Sequence, residues 1–223
     1  MTSSQTTSNS LKNLIIFSNS PGEISTWVRS VCAAVHADDP QVRIHVYLLP
    51  CQYATGQENA VVSDFDGVVE VLRPGQTWRR LALQTVKRLF GTSPTSQTAV
   101  LSLGGDPYYA RWLAWLLQCP AYLYTEHAHR FPGFNHVFRS YRDGDLMGAS
   151  VPKNPPPPGD TTLFLCGSRP QHFVHWFPIV ARGIALIKKR QPDFAADVLI
   201  SPFLSPDVVN PLLAQHQDNT FCV

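Results

Sequence analysis

Residues 14–23 read LIIFSNSPGE and join a short apolar run to the start of a helix. The first four residues are continuously apolar, which is typical of a strand covered on both faces. Ser20, Pro21 and Glu23 fit the N-cap, first and third positions of a helix. Apolar residues then recur at helical spacing from Ile24 to Val35. A buried strand followed at once by a capped helix predicts the opening βα unit of an α/β domain.

Strand and helix patterns alternate along the chain after this unit. Strands are predicted near 42–49, 68–72, 99–103, 121–124 and 136–141, and helices near 52–63, 78–90 and 108–117. Strands that alternate with helices indicate a parallel sheet with helices on both faces. The predicted fold class is therefore α/β, with a Rossmann-like parallel sheet.

The composition changes abruptly at 151–160, which contains five prolines, four of them consecutive. Such a segment is typical of an extended spacer, so it is predicted to link two domains. Residues 1–11 form a polar tail that is predicted to be disordered, and 12–150 form the first domain. Residues 161–223 start a second Rossmann-like domain, with strands near 162–166 and 198–200 and helices near 173–190 and 206–215. Since about 60 residues bury too little surface to fold alone, the second domain is predicted to be incomplete, in a truncated chain or one completed by a partner.

The bulk composition excludes several classes of protein. Hydrophobic residues make up 44% of the 223 residues, enough for a core, and the net charge of +2 is too small to indicate nucleic acid as a partner. The five cysteines form no C-x-x-C pair, which favours small buried thiols in a reducing compartment over disulfides or zinc. No secretion signal or spanning apolar segment is evident. We expect a soluble, cytoplasmic protein, with peripheral contact to the inner face of a membrane left open.

The first candidate site is the loop at 18–23. It follows the first strand at its carboxyl end, where open α/β sheets bind ligands. Gly22 would allow a ligand to approach the backbone, and the helix start supplies free N–H groups. The loop lacks the G-x-G-x-x-G pattern, so a dinucleotide is not indicated. The alternative is a plain capped helix start.

Asp106 lies in a second loop, 103–107, where another strand gives way to a helix. A carboxylate at this point can act as a general base toward a bound hydroxyl. The alternative interpretation is an N-cap residue ahead of a proline at the first helical position.

Two further loops carry polar groups at strand ends. Glu126, His127 and His129 follow the fifth strand, and no further ligand at typical spacing supports a metal site. These residues either help to bind a ligand or are ordinary polar residues of a surface loop. Gly167, Ser168 and Arg169 follow the first strand of the second unit, where N–H groups and a guanidinium could meet a phosphate. The alternative there is a tight turn with a surface arginine.

The segment 73–90 mixes basic and apolar residues. The residues that could lie on an anionic membrane surface are Trp78, Arg79, Arg80, Lys87 and Arg88. The alternative is a core-facing helix with a solvated basic side.

Four segments in order carry a resemblance to a known family. They are Phe17–Val28, Ser102–Tyr108, Gly144–Met147 and Leu163–Arg190. The chain resembles lipid-A-disaccharide synthase, and in particular its shortened relatives that open with S-P-G-E-[IV]-S-T-W-V. Each motif is short, and the resemblance depends on the order of the four segments along the chain.

The resemblance implies a GT-B fold, in which two Rossmann-like domains flank a cleft. The implied activity is that of an inverting hexosyltransferase without metal or cofactor. It would move an acylated glucosaminyl group from a UDP-sugar to a lipid-linked or acylated amino-sugar. Carried over by position, Asp106 is the implied base, Gly22 and Glu23 would lie in the acceptor pocket, and Ser168 and Arg169 would face the nucleotide. With the neighbouring loop residues, the predicted acceptor-binding set is Ser20, Gly22, Glu23, Glu126 and His127, and the predicted donor-binding set is Gly167, Ser168 and Arg169.

The chain also departs from the family pattern. Cys166 replaces the family's proline before G-S-R, and Pro170, Gln171 and His172 replace the acidic residues that often follow it. The stretch that would hold uracil and ribose is not among the 223 residues. One alternative is therefore an inactive acceptor-binding or membrane-associated remnant, whereas another is a GT-B enzyme of the epimerase kind. A homodimer or a partner chain that completes the second domain is also left open.

Overall fold

The computed structural model describes residues 10–91, 97–146 and 161–216. Contacts divide the chain into two compact units, one made of 1–52 with 62–150 and the other of 53–61 with 151–223. Most of the predicted polar tail and the whole Pro-rich segment lie outside the described residues. The segment 53–61, which the sequence analysis placed in the first domain, groups with the second unit.

The sheet of the first unit has six parallel strands. They are β1 (Asn13–Ser18), β2 (Arg43–Leu48), β3 (Val68–Leu72), β4 (Thr98–Ser102), β5 (Ala121–Thr125) and β6 (His136–Arg139). Their order is β3-β2-β1-β4-β5-β6, and every neighbouring pair is parallel. The predicted parallel α/β fold is confirmed. The strand order reverses between β1 and β4, and open sheets of this kind bind ligands beyond the carboxyl ends of the strands at such a reversal.

Helices connect these strands. They are α1 (Pro21–Glu23), which continues through a π-helical turn (Ile24–Val28) into α2 (Arg29–Asp38), then α3 (Glu58–Ser63), α4 (Pro74–Leu89), α5 (Pro107–Leu117) and α6 (Ser140–Asp143). Helix α3 is shorter than the predicted 52–63, because the Glu58 carboxylate accepts the N–H of Gly56 (2.9 Å) and so fixes the turn before the helix. The last strand ends before the predicted Tyr141, since α6 begins at Ser140.

Apolar side chains of β1 and the helix after it form the centre of the first unit. Ile16 and Phe17 of the predicted strand are fully buried, and so are Ile24 and Val28, which recur at helical spacing. The Phe17 ring meets the Tyr47 ring edge-on at 5.5 Å between centroids. Burial of each such side chain contributes about 1.5–3 kcal/mol, so this packing holds the loop after β1 in place.

The second unit has two parallel strands and two helices. They are β7 (Thr161–Leu165), β8 (Ala195–Leu199), α7 (Pro170–Arg190) and α8 (Pro206–Ala214). Phe173 and Phe177 are fully buried, and their rings stack at 5.1 Å. Among the described cysteines, Cys32 and Cys166 are buried free thiols.

Candidate functional site

A cavity of about 360 Å³ opens in the first unit at the carboxyl ends of β4 and β5. The lining side chains combine carboxylates, imidazoles and aromatic rings. They are Glu23, Trp27, Gly104, Gly105, Pro107, Leu123, Tyr124, Thr125, Glu126, His127, His129 and Phe131. The cavity lies beside the reversal of strand order, where the topology favours ligand binding.

Glu23 is held in the cavity wall by a reciprocal hydrogen-bonded turn. The Ser20 N–H donates to Glu23 Oε2 (3.3 Å), and the Glu23 N–H donates to Ser20 Oγ (3.4 Å). This is the capping box that the sequence predicted. The local sequence therefore fixes where this carboxylate points.

Burial raises the pKa of the Glu23 carboxyl above its ordinary value. Hydrogen bonds from Ser20 and the Asn19 backbone oppose that shift, and repulsion from Glu126 adds to it. A carboxylate with a raised pKa inside a cavity suits general acid–base chemistry near neutral pH.

Two glycines after β4 let the backbone come close to the loop after β1. Gly104 has φ +121°, and a Cβ there would overlap the Glu23 carboxylate. Gly105 has φ +69°, and a Cβ there would lie 3.0 Å from Leu49 Cδ1. Both conformations are ones that L side chains rarely adopt.

The π-helical turn after α1 carries an aromatic side of the cavity. The Thr26 hydroxyl donates to the Gly22 carbonyl (2.7 Å), and the Ser25 hydroxyl donates to the Pro21 carbonyl (2.9 Å). Such turns often occur at functional sites. The Trp27 ring meets the Tyr124 ring edge-on at 5.1 Å, so two aromatic rings wall one side of the cavity.

The predicted acceptor-binding residues fall into two groups. Glu23, Glu126 and His127 line the cavity. Ser20 and Gly22 lie in the adjoining turn, where they support Glu23 and the π-helical turn.

Asp106 lies at the rim, between two lining residues. Its neighbours Gly105 and Pro107 line the cavity, but Asp106 itself is not among the described lining residues. Its side chain is exposed and accepts the Tyr108 N–H (2.9 Å), which makes it the N-cap of α5. Its part as a base stays a prediction.

Several lining residues were not singled out from the sequence. Trp27 fits the helical spacing of apolar residues that pack on the core. Nothing in the sequence therefore indicated that it lines a cavity. Tyr124 and Phe131 carry no motif. Gly104 and Gly105 lie in the predicted loop 103–107, where the sequence analysis singled out only Asp106, and a glycine doublet before a helix cap was the signal for their role in the close approach of the two loops.

The imidazoles of His127 and His129 stack at 6.0 Å between centroids. Within residues 10–91, 97–146 and 161–216, no group of three or more His, Cys, Asp or Glu side chains is placed to hold a metal ion.

The predicted donor loop lies in the second unit. Gly167 has φ +89° and turns the chain from β7 into α7, with Arg169 at the N-cap. The Arg169 guanidinium carbon lies 3.9 Å from the centroid of the Tyr53 ring. This cation–π contact sets the direction of the guanidinium at the start of α7.

The predicted membrane-surface residues have different surroundings. Arg80 donates to the Glu70 carboxylate (2.5 Å) and to Tyr47 Oη (3.4 Å), so it belongs to a polar cluster of the fold. The Trp78 ring packs edge-on against Tyr109, whereas Arg79 and Lys87 are exposed. Among the helices described, none has both the length and the apolarity needed to cross a bilayer.

Comparison with known proteins leaves the family open. No family model matches the sequence, and no curated protein matches it. Heptosyltransferase WaaC of E. coli with ADP is a similar solved structure, at 12% identity, TM-score 0.47, and coverage of 95% of this chain and 74% of that chain. UDP-GlcNAc 2-epimerase from Neisseria meningitidis bound to UDP-GlcNAc aligns at 14% identity and TM-score 0.46, covering 95% and 71%. A family 9 glycosyl transferase from Veillonella parvula aligns at 11% identity and TM-score 0.44, covering 92% and 67%.

Proposed function

We propose that the chain is an inverting glycosyltransferase of the GT-B type whose acceptor binds in the cavity of the first unit. The observation that carries the proposal is the Glu23 carboxyl, whose pKa burial raises inside an aromatic-walled cavity at the strand-order reversal. The apolar face of a sugar ring packs on aromatic rings. Its hydroxyl groups donate hydrogen bonds to carboxylates. Trp27, Tyr124 and Glu126 supply both kinds of contact.

In the proposed reaction, Glu23 takes the proton of an acceptor hydroxyl as that oxygen attacks the anomeric carbon of the donor. A carbon–oxygen bond forms on one face, and the bond to the nucleotide diphosphate breaks on the other. The diphosphate leaves with the electron pair, and the proton stays on the Glu23 carboxyl. The configuration at the anomeric carbon is inverted.

The charge of the cavity supports an acceptor rather than a nucleotide there. Its described lining residues include Glu23 and Glu126 but no lysine or arginine. A diphosphate needs cations or several N–H donors. We assign the UDP-sugar donor to the loop with Gly167, Ser168 and Arg169 in the second unit, where the start of α7 and a guanidinium supply them.

Asp106 is the second candidate for the base. It is the residue that the resemblance to lipid-A-disaccharide synthase implies, and it stands next to the cavity rim. Both carboxylates accept a backbone N–H at a helix start, but Asp106 is exposed and is not among the described lining residues, whereas Glu23 lines the cavity. The geometry therefore favours Glu23.

The resemblance suggests substrates for this proposal. The donor would carry an acylated glucosaminyl group, and the acceptor would be an acylated or lipid-linked amino-sugar. The rival functions are an inactive remnant that only binds acceptor and an epimerase acting on a UDP-sugar.

The test is incubation of the full chain with UDP-sugars and acylated glucosamine phosphate, with products identified by mass spectrometry. We expect a disaccharide and UDP, and a loss of turnover of about 10²–10⁴ in Glu23→Gln. Asp38→Asn, an exposed carboxylate at the end of α2, is the matched control and should keep full turnover.

The other outcomes separate the rivals. Full turnover in Glu23→Gln with a large loss in Asp106→Asn would transfer the base role to Asp106. A UDP-sugar changed only at one sugar carbon would indicate the epimerase. Acceptor binding without release of UDP for any donor would overturn the transferase.

A further inference from the structure

The side of α4 that faces solvent is largely apolar. Leu83, Val86, Leu89 and Phe90 are all at least half exposed, with Leu89 at 79% and Phe90 at 86%. The buried side of the same helix carries Leu81. A surface helix normally turns polar residues outward, so an apolar outer side needs a partner.

The outer side of α5 is aromatic. Tyr108, Trp112 and Trp115 recur there at helical spacing with Arg111 between them, and Trp115 is 62% exposed. These four residues line a shallow hollow of about 370 Å³. Tryptophan and tyrosine are enriched where proteins meet the interface between a bilayer and water, and cations there are attracted to anionic headgroups.

The two outer sides are continuous. The Arg88 guanidinium lies over the Trp115 ring at 5.7 Å and joins the end of α4 to α5. Trp78 of α4 and the partly buried Tyr109 of α5 meet edge-on at 4.8 Å, so the two helices also pack against each other beneath this surface. We call this surface the α4–α5 face, made of the exposed residues Leu83, Val86, Leu89, Phe90, Tyr108, Trp112 and Trp115 with the cations Arg79, Lys87, Arg88 and Arg111.

The charge of the α4–α5 face has one sign. Helices α4 and α5 contain four arginines, one lysine and no aspartate or glutamate. Arg80 is paired with Glu70, so the four cations named above remain. Apolar and aromatic side chains interleaved with cations fit a layer of anionic headgroups over acyl chains.

We propose that the α4–α5 face binds the surface of an anionic lipid bilayer. Its aromatic and aliphatic side chains enter the boundary between headgroups and acyl chains, while its cations meet lipid phosphates. The inference goes beyond sugar transfer and does not depend on it. The α4–α5 face is larger than the membrane surface that the sequence indicated, because it includes α5. It does not include Arg80.

Docking on this face would also place the cavity close to the lipid. Helix α5 carries the face along its length and begins at Pro107, which lines the cavity. An acceptor carried on a lipid would then reach the cavity without leaving the membrane.

The experiment is flotation of the full chain with phosphatidylcholine vesicles that either contain or lack phosphatidylglycerol. We expect binding only with the anionic lipid, and a decrease in binding as salt is raised. Phe90→Ser with Trp115→Ser should lower vesicle binding at least tenfold. Arg79→Gln with Lys87→Gln tests the cations separately, and each lost cation should weaken binding about fivefold.

Matched variants lie in the second unit. Trp176 is 51% exposed on α7, so Trp176→Ser removes an exposed tryptophan outside the α4–α5 face, and Lys189→Gln removes an exposed lysine. Both should bind vesicles as the native chain does. All variants alter exposed side chains, so thermal unfolding monitored by circular dichroism should show native melting temperatures.

Three results would overturn the proposal. One is unchanged vesicle binding in the double serine variant. Another is equal binding to vesicles without phosphatidylglycerol. The third is a concentration-dependent dimer by light scattering that the double serine variant abolishes while vesicles bind nothing, because that result would assign the face to a second copy of the chain.

Discussion

The Glu23 carboxylate lies over the α-carbon of Gly104, in the space that a side chain at position 104 would occupy. Glu23 follows β1 and Gly104 follows β4, and these two strands are hydrogen-bonded neighbours in the sheet. The contact therefore joins the two loops that flank the reversal of strand order.

Gly104→Ala should destabilise the protein and weaken ligand binding. The new Cβ would displace the Glu23 carboxylate, and φ +121° would strain any L residue, at about 1–3 kcal/mol for the backbone alone. Urea unfolding measures the decrease in the free energy of unfolding. Gly75→Ala is the control, since nothing lies within 4 Å of its Cβ and α4 favours alanine. It should leave stability unchanged or slightly higher.

A double-mutant cycle tests whether the contact itself is responsible. In Glu23→Ala the obstructing carboxylate is gone, so Gly104→Ala should cost less there than in the native chain. The remaining loss should match the backbone strain. Strictly additive effects on the free energy of unfolding would mean that Glu23 does not occupy the space beside Gly104.

Glu23→Gln should change how stability depends on pH. Burial raises the pKa of Glu23 above 4.5, so the folded protein holds this proton more tightly than the unfolded chain. Its contribution is fully present below pH 4.5 and is lost as pH rises toward the folded pKa. The native chain therefore loses stability as the pH rises from 4.5 toward the folded pKa, whereas Glu23→Gln does not. The free energy of unfolding of Glu23→Gln minus that of the native chain should increase over this pH range. Urea unfolding at several pH values measures it, and a constant difference would contradict the raised pKa.

Arg80→Ala should lower stability more than Arg79→Ala. Arg80 joins Glu70, Tyr47 and, through Glu70, His45 (3.0 Å) in one partly buried polar cluster. Loss of such a charged hydrogen bond costs about 1–2 kcal/mol, reduced by the partial exposure of the pair. Arg79 is exposed, and its change should stay within about 0.5 kcal/mol. Thermal and urea unfolding compare the two, and equal effects would contradict the structural part of Arg80.

Buried thiols should resist alkylation in the native protein. Burial raises the pKa of the Cys32 thiol to about 12, with Asp66 adding repulsion, and that of Cys119 to about 11. At pH 8 only about one Cys32 in ten thousand is then a thiolate, the reactive form. Mass spectrometry after iodoacetamide should find Cys32 unmodified until urea is added. Rapid labelling of native Cys32 would contradict its burial.

Local chemistry was sufficient to predict the sheet and both helix starts. Ser20 and Asp106 cap the helices that follow them, because short polar side chains ahead of proline satisfy free N–H groups wherever they occur. The apolar runs of β1 and β4 predicted buried parallel strands for the same reason. These features depend only on residues next to each other in the chain.

Contacts between residues that are far apart in the chain could not be predicted from the sequence. The contact of Glu23 with Gly104 depends on which strands become neighbours. Trp27 faces the cavity from within a π-helical turn, which the spacing of apolar residues does not show. In α4 both sides carry apolar residues, and periodicity alone cannot tell which side is buried, so the sequence leaves the segment 73–90 open between a membrane-surface helix and a core-facing helix.

Gly167→Ala should abolish nucleotide binding by the second unit if this loop holds the donor. Gly167 has φ +89°, and its Cβ would lie 3.1 Å from the Cβ of His172, so alanine would strain the turn and push on the start of α7. The N–H groups there and the Arg169 guanidinium, stacked on Tyr53, would lose their alignment. Titration calorimetry with UDP measures the effect. Gly183→Ala, in open space within α7, is the control and should bind UDP as the native chain does. Native affinity in Gly167→Ala would remove this loop from donor binding, because a diphosphate held by these N–H groups could not tolerate their displacement.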